Sequence, residues 1–102
     1  MSSQGNGRPL RYDVRCSEKI KATIKQLHQQ ASEQGKGQQF LDSLRTILDR
    51  LQEDPDRLGE PLYRLPALKL LVYQVIVSRV VVDYAVHEEK LLVFLKGVKL
   101  LD

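Results

Sequence analysis

Residues 68–101 read LKLLVYQVIVSRVVVDYAVHEEKLLVFLKGVKLL, and this stretch decides the fold class. It contains three apolar runs rich in Val, Leu and Ile, which are separated only by Ser78-Arg79 and by His87-Glu88-Glu89. Such runs with short breaks predict three antiparallel strands joined as a meander. Two amphipathic segments precede them. The sequence therefore predicts an α+β protein in which a pair of helices covers one face of a sheet.

The first half of the chain predicts a short strand and two helices. Residues 12–16 alternate enough to form a strand, and Ser17 is a good N-cap for the helix that follows. Gly35-Lys36-Gly37 separates the two helices, and Asp54-Pro55 ends the second one. Residues 56–67 contain a glycine and two prolines, which indicates an irregular connection to the meander. The apolar positions of the two helices are Ile20, Ile24, Leu27 and Ala31, then Phe40, Leu41, Leu44, Ile47, Leu48 and Leu51.

Length and composition limit the chain to one domain. With 102 residues it can build a single core, which we assign to residues 11–102, after a flexible N-terminal tail over residues 1–10. No apolar run is long enough to span a membrane, and the N-terminus has no apolar stretch typical of a signal peptide. The single Cys16 cannot form an internal disulfide. These features predict a cytoplasmic protein without membrane partners.

The charges are unevenly distributed along the chain. The net charge is +3, with basic residues concentrated before residue 26 and acidic residues clustered over residues 49–60. This distribution indicates an anionic partner, either nucleic acid or an acidic protein segment. An ordinary solvated surface explains a charge of this size equally well.

Alternation along the strands predicts which side chains meet the helices. In the middle strand the wholly apolar or aromatic set should enter the core, and the set with Arg79 and Asp83 should form the open face. In the last strand Leu91, Val93 and Leu95 should enter the core. The residues left outside are Lys90, Leu92, Phe94 and Lys96, and Lys99 should share this open face. A register slip by one residue would exchange these roles. The predicted core set of the middle strand is Val80, Val82, Tyr84 and Val86, and the open set is Arg79, Val81, Asp83 and Ala85.

Several short motifs occur in a particular order, and together they carry a family resemblance. They are Asp54-Pro55, Gly59-Glu60-Pro61-Leu62, Val72-Tyr73, Tyr84-Ala85-Val86 and Gly97. Over residues 11–100 the chain resembles the RelE/ParE superfamily of toxins from type II toxin–antitoxin modules, the plasmid stabilisation family. The resemblance implies an N-terminal strand, a two-helix hairpin and a three-stranded antiparallel meander. It also implies a toxin whose partner is a cognate antitoxin protein.

The chain departs from this family where the mRNA-cleaving members carry their cations. Alignment on Tyr84 puts Val81 where those members have an arginine that contacts the scissile phosphate, and Gln74 and Ile76 where they have basic residues. Val98 and Lys99 follow Gly97, where a histidine or another basic residue is expected. Without these groups the cleavage step loses its electrostatic stabilisation and its acid–base pair.

We therefore predict a toxin that acts by binding, as the ParE-like members act on DNA gyrase. One alternative is a divergent ribosome-dependent mRNA endonuclease with Arg79, Lys96 and Lys99 as catalytic candidates. The other alternative is a non-toxic interaction module of the same fold. The resemblance also implies that an acidic antitoxin segment covers the toxin. The predicted target- or antitoxin-binding residues are Arg79, Asp83, Lys90, Leu92, Phe94 and Lys96.

Other chemistry has little support in the sequence. His28 and His87 have no second ligand at metal-binding spacing, so we predict no metal site and interpret them as a helix-surface and a turn residue. We interpret Cys16 as a small packing residue and predict a surface charge pair between Arg79 and Asp83. The sequence has no phosphate-binding glycine loop, and we predict no cofactor.

Overall fold

The computed structural model describes residues 11–101, and the predicted flexible tail over residues 1–10 lies outside them. The general α+β class is confirmed by three helices and one five-stranded mixed sheet. A single 3-10 turn, Pro66–Leu68, joins the second strand to the third. The elements in chain order are β1 (Asp13–Arg15), α1 (Glu18–Glu33), α2 (Gly37–Glu53), α3 (Pro55–Leu58), β2 (Glu60–Leu65), β3 (Leu70–Val77), β4 (Val80–His87) and β5 (Leu92–Leu100).

The sheet has one more meander strand than the sequence predicted. Its strand order is β1-β5-β4-β3-β2, with β2 to β5 antiparallel and β1 parallel to β5. The interpretation of residues 56–67 as an irregular connection was wrong, because they contain α3 and the edge strand β2. Pro61 fits this strand because an edge strand needs partners on one side only. The pairing register of β2 also shifts between Pro61 and Tyr63.

The helix boundaries follow the predicted signals at the start of α1 and between the helices. The Ser17 hydroxyl accepts a hydrogen bond from the Ile20 amide at 3.2 Å, which confirms the predicted N-cap. Gly35 lies just after α1 with φ +75°, a left-handed conformation that glycine adopts without steric cost. By contrast, α2 begins after Lys36 without a side-chain cap.

The helices pack on the sheet face that alternation predicted. Val80, Val82, Tyr84 and Val86 are all buried and belong to the same core cluster as the apolar stripes of α1 and α2. Val93 and Leu95 are also buried, as predicted. The core assignment of Leu91 was wrong, since β5 begins only at Leu92. Leu91 lies in the preceding loop, where it is 38% exposed.

The opposite face of the sheet, which we call the second face, holds a row of residues across all five strands. The paired positions in this row are Arg15, Phe94, Ala85, Val72 and Tyr63, in order from β1 to β2.

Two residues of β4 on this face are less exposed than predicted. Ala85 and Val81 were expected on the open side, and both are buried. Ala85 lies between Val72 and Phe94 in the central strands. Small side chains in that position are shielded by neighbours on both adjacent strands.

A β-bulge in β5 changes which of its residues reach the second face. Tyr84 pairs with Leu95, whereas Asp83 pairs with Gly97, so Lys96 is the extra residue. Beyond the bulge the alternation is reversed. Val98 therefore enters the core, while Lys99 pairs with Val81 of the second face.

Candidate functional site

The predicted binding residues do not form one site. Leu92 and Phe94 are half-buried on β5, Lys96 is exposed at the bulge, and Lys90 is exposed in the loop between β4 and β5. Asp83 lies in the middle of β4 and accepts a hydrogen bond at 2.8 Å from the Gln74 side-chain amide. Its carboxylate is therefore engaged within the sheet.

Arg79 lies away from the other predicted residues. The predicted charge pair between Arg79 and Asp83 was wrong, as was the placement of Arg79 on the open face. Ser78 and Arg79 form the turn between β3 and β4, which takes Arg79 out of the strand. The Arg79 Nε donates to the Leu101 carbonyl at 3.1 Å, and the Leu101 amide donates to the Arg79 carbonyl at 2.8 Å. These bonds hold the turn against the end of β5.

Arg79 lines a cleft between the helix pair and this end of the sheet, which we call the hairpin cleft. Its volume is about 310 Å³. The walls come from the end of α1, the start of α2, the β3–β4 turn and the end of β5. The lining residues are Leu27, Gln30, Ala31, Gln34, Lys36, Gln39, Phe40, Ser43, Ser78, Arg79, Val80, Lys99, Leu100 and Leu101.

The hairpin cleft has a positive electrostatic character. Within the part of the chain that the structure describes, its lining includes Lys36 and Arg79 and no carboxylate. Lys99 also borders the cleft, but its pairing with Val81 directs its side chain to the second face. The start of α2 adds to the positive potential, since its first turn has no acidic residue and no side-chain cap.

Ser43 is the unusual polar group of the cleft. Only 6% of the residue is exposed, and its hydroxyl has no hydrogen-bond partner among residues 11–101. Thr46, on the same helix, shows the usual alternative, because its hydroxyl donates to the Asp42 carbonyl at 3.0 Å. A buried hydroxyl without a partner in the protein needs one from elsewhere, and in an open cleft that partner is water or a ligand. A group of this kind in the wall of a cleft marks a place where a ligand can form the missing bond.

The motifs that carry the family resemblance meet at the opposite side of the core, around Tyr84. The Tyr84 hydroxyl donates to the Pro55 carbonyl at 2.6 Å and accepts from the Gly59 amide at 2.9 Å. Its ring stacks on Tyr73 with centroids 5.3 Å apart. A Cβ at Gly59 would lie 2.5 Å from the Gln74 carbonyl oxygen. We call Pro55, Gly59 and Tyr84 the tyrosine cluster.

The tyrosine cluster has a structural role. Burial raises the pKa of Tyr84 to about 12, and the hydrogen bond from Gly59 opposes this only partly. At neutral pH the hydroxyl is therefore protonated, fully hydrogen-bonded and out of reach of solvent. It fastens the segment between α2 and β2 onto the sheet. Sequence reasoning had identified these residues as family motifs without assigning them this contact.

The remaining reactive side chains have structural explanations. Burial raises the pKa of the Cys16 thiol, and the residue packs against the core, in agreement with its interpretation as a packing residue. The His87 Nδ1 accepts bonds from the Glu89 and Lys90 amides, as a turn residue does. His28 is not a simple surface residue, because it is half-buried and stacks on Phe40 at 6.1 Å.

Over residues 11–101, no three His, Cys, Asp or Glu side chains are grouped so that they could hold a metal ion. No helix in this part of the chain has both the length and the apolar character needed to cross a membrane.

Comparison with known proteins adds no family assignment. The chain matches no protein-family model, no curated protein and no solved structure.

Proposed function

We propose that this protein is the toxin component of a type II toxin–antitoxin module and that it acts by binding its target. The observation that carries the proposal is that position 81 is occupied by a buried valine. This position corresponds to the phosphate-contacting arginine of the mRNA-cleaving members that the sequence resembles, and here it is a buried apolar residue between Ile76 and Lys99. A surface without that cation cannot stabilise the charge that develops on a scissile phosphate, but it can bind a protein.

The second face has the composition of a protein-binding surface. Ile76 is 52% exposed and Tyr63 is 49% exposed, although both belong to strands of the sheet. Phe94 is half-buried on the same face. Apolar and aromatic groups of this kind on an ordered sheet are typical of contact sites for other proteins.

The charges around the second face favour an acidic partner segment, as the resemblance implies for an antitoxin. Lys96 and Lys99 are exposed along β5. On β1 the Arg15 side chain is paired with Asp13 at 2.9 Å, and on β4 Asp83 is bonded to Gln74. The acids are thus partly neutralised, while the two lysines remain able to contact a carboxylate.

The first experiment is induction of the protein in a bacterial host with a translation reporter and a DNA-damage reporter. We expect growth arrest with filamentation and DNA damage while protein synthesis continues. Immediate loss of translation would contradict a binding toxin and support the endonuclease alternative. Normal growth would contradict toxicity and support the non-toxic interaction module.

A pair of variants connects this readout to the second face. Ile76→Asp puts a charge into the exposed apolar part of the face and should relieve the arrest. Leu68→Asp is the matched control, since Leu68 is 61% exposed in the 3-10 turn and pairs with no strand. Circular dichroism on both purified variants shows whether each is folded. Equal relief by both variants, or by neither, would exclude the second face as the toxic surface.

The endonuclease alternative has one observation in its favour. The Arg79 side chain uses only its Nε in a hydrogen bond to the rest of the described chain, so its two terminal nitrogens are available to a phosphate. Cleavage of a messenger on purified ribosomes, compared between the wild type and Arg79→Gln, tests this role. Lys25→Gln, which changes an exposed cation on α1, is the control.

A further inference from the structure

We propose that the hairpin cleft binds a small phosphate-bearing ligand with an apolar ring, of the size of a nucleoside monophosphate. This inference does not depend on the toxin proposal, because the cleft lies on the helix side of the sheet and the proposed toxic surface lies on the second face. It rests on three properties of the cleft, namely its cations, its unsatisfied hydroxyl and its apolar wall.

Two cations with different positions in the sequence line the cleft. Lys36 precedes α2, a helix of 17 residues whose first amides have no side-chain cap. Arg79 reaches the same cleft from the β3–β4 turn, with its two terminal guanidinium nitrogens free of partners in the described chain. A helix start, an ammonium and a guanidinium fork are donors that together suit a phosphate group.

The Ser43 hydroxyl is the independent sign of a ligand. It is buried, lines the cleft and has no hydrogen-bond partner between residues 11 and 101. The spacing of Lys36, Phe40 and Ser43 repeats at about one helical turn, which places them on one face of α2. A ligand oxygen in the cleft would satisfy this hydroxyl at the same time as the phosphate is held at the helix start.

The apolar wall and the volume limit the rest of the ligand. Leu27, Phe40 and Leu100 line the cleft and give a ring an apolar contact. Side-chain amides are available there for the polar edge of that ring, at Gln30, Gln34 and Gln39. The volume of about 310 Å³ lies at the lower end of the roughly 300–1,000 Å³ that is usual for small-molecule sites. It therefore suits a mononucleotide better than a larger ligand.

The test uses the full chain, with nuclear magnetic resonance titrations of adenosine monophosphate, inorganic phosphate and adenosine. We expect adenosine monophosphate to shift amides of the cleft and to bind at least about tenfold more tightly than either fragment, because only it contacts both the cations and the apolar wall. Absence of shifts at millimolar concentration would overturn the proposal. Shifts confined to other surfaces would also overturn it. A short RNA that binds through the cleft when the mononucleotide does not would likewise contradict a small-molecule site.

Variants assign the binding to the proposed groups. Lys36→Gln and Arg79→Gln should each weaken adenosine monophosphate binding by about fivefold to tenfold, and Ser43→Ala by about threefold. Lys25→Gln is the matched control, since this lysine is exposed on α1 and does not line the cleft. It should change the affinity by less than about twofold.

The Arg79 side chain also bonds Leu101, so its variant removes a contact that holds the end of β5. Lys36 is exposed and has no such contact in the described chain. The affinity of Lys36→Gln for adenosine monophosphate therefore shows whether a cation of the cleft contributes to binding. Equal effects of Lys36→Gln and Lys25→Gln would indicate general charge attraction and would overturn the assignment. These variants leave Ile76 intact, so failure here and failure of the toxin proposal are distinguishable.

Discussion

The tyrosine cluster and the hairpin cleft differ in whether their buried hydroxyl group is hydrogen-bonded to the protein. In the cluster, the buried Tyr84 hydroxyl has both a donor bond and an acceptor bond. In the cleft, the buried Ser43 hydroxyl has neither within residues 11–101. A fold is stabilised when its buried polar groups are hydrogen-bonded, so a group without a protein partner in a cleft lined by cations is available to another molecule. The comparison separates residues that maintain the fold from residues that can bind.

The largest effect is expected at Gly59. Gly59→Ala places a Cβ 2.5 Å from the Gln74 carbonyl oxygen and 2.9 Å from the Tyr84 hydroxyl, so the backbone must move. We expect a loss of about 3 kcal/mol in the free energy of unfolding, measured by urea denaturation. Gly97→Ala is the control, since a Cβ there meets nothing within 4 Å, and its stability should change by less than about 1 kcal/mol. Equal costs for the two variants would contradict the close packing of the cluster.

Removal of the Tyr84 hydroxyl should have the next largest effect. Tyr84→Phe leaves the Gly59 amide and the Pro55 carbonyl without their partner, which should cost about 1–3 kcal/mol in the same denaturation experiment. Tyr73→Phe is the matched control on the stacked ring, and its hydroxyl has no hydrogen-bond partner in the described chain. We expect a change below about 0.5 kcal/mol for this control. A Tyr84→Phe variant as stable as the wild type would exclude a structural role for the hydroxyl.

The pH dependence of stability should also report on Tyr84. The folded state keeps this hydroxyl protonated to a pKa of about 12, whereas an unfolded tyrosine ionises near its ordinary value of 10. The stabilisation is therefore fully present below pH 10 and is lost as the pH rises toward 12. The melting temperature of the wild type should fall more steeply between pH 10 and pH 12 than that of Tyr84→Phe. Parallel curves would contradict the raised pKa.

The fold class and the core face could be predicted because they depend on local patterns. Alternation identified the buried side of β4, and the helical stripes identified the residues that pack on it. The side-chain cap at Ser17 is equally local. Edge pairing is not local. The strand β2 was missed because it contains Pro61 and its residues 60–64 are all exposed, so it lacks the apolar alternation of a half-buried strand. It pairs only with β3.

The sites were harder to predict than the fold. The β-bulge at Lys96 reverses the alternation within β5, and no sequence pattern indicated it. Arg79 was assigned to the strand, although the tight turn removes it and bonds it to Leu101. The hairpin cleft combines the ends of two helices and two strands that are distant in sequence. The one local signal was the spacing of Lys36, Phe40 and Ser43 on α2, which reads equally well as an ordinary helix face.

The most direct test of the comparison is the free energy of unfolding of Ser43→Ala beside that of Tyr84→Phe. Ser32→Ala, on the exposed end of α1, measures the gain of about 0.5 kcal/mol or less that helix propensity alone gives. We predict that Ser43→Ala is at least as stable as the wild type, because the change removes a buried hydroxyl that has no partner, while Tyr84→Phe is less stable. A Ser43→Ala variant destabilised as much as Tyr84→Phe would show that this hydroxyl serves the fold, and it would contradict the distinction between the two regions.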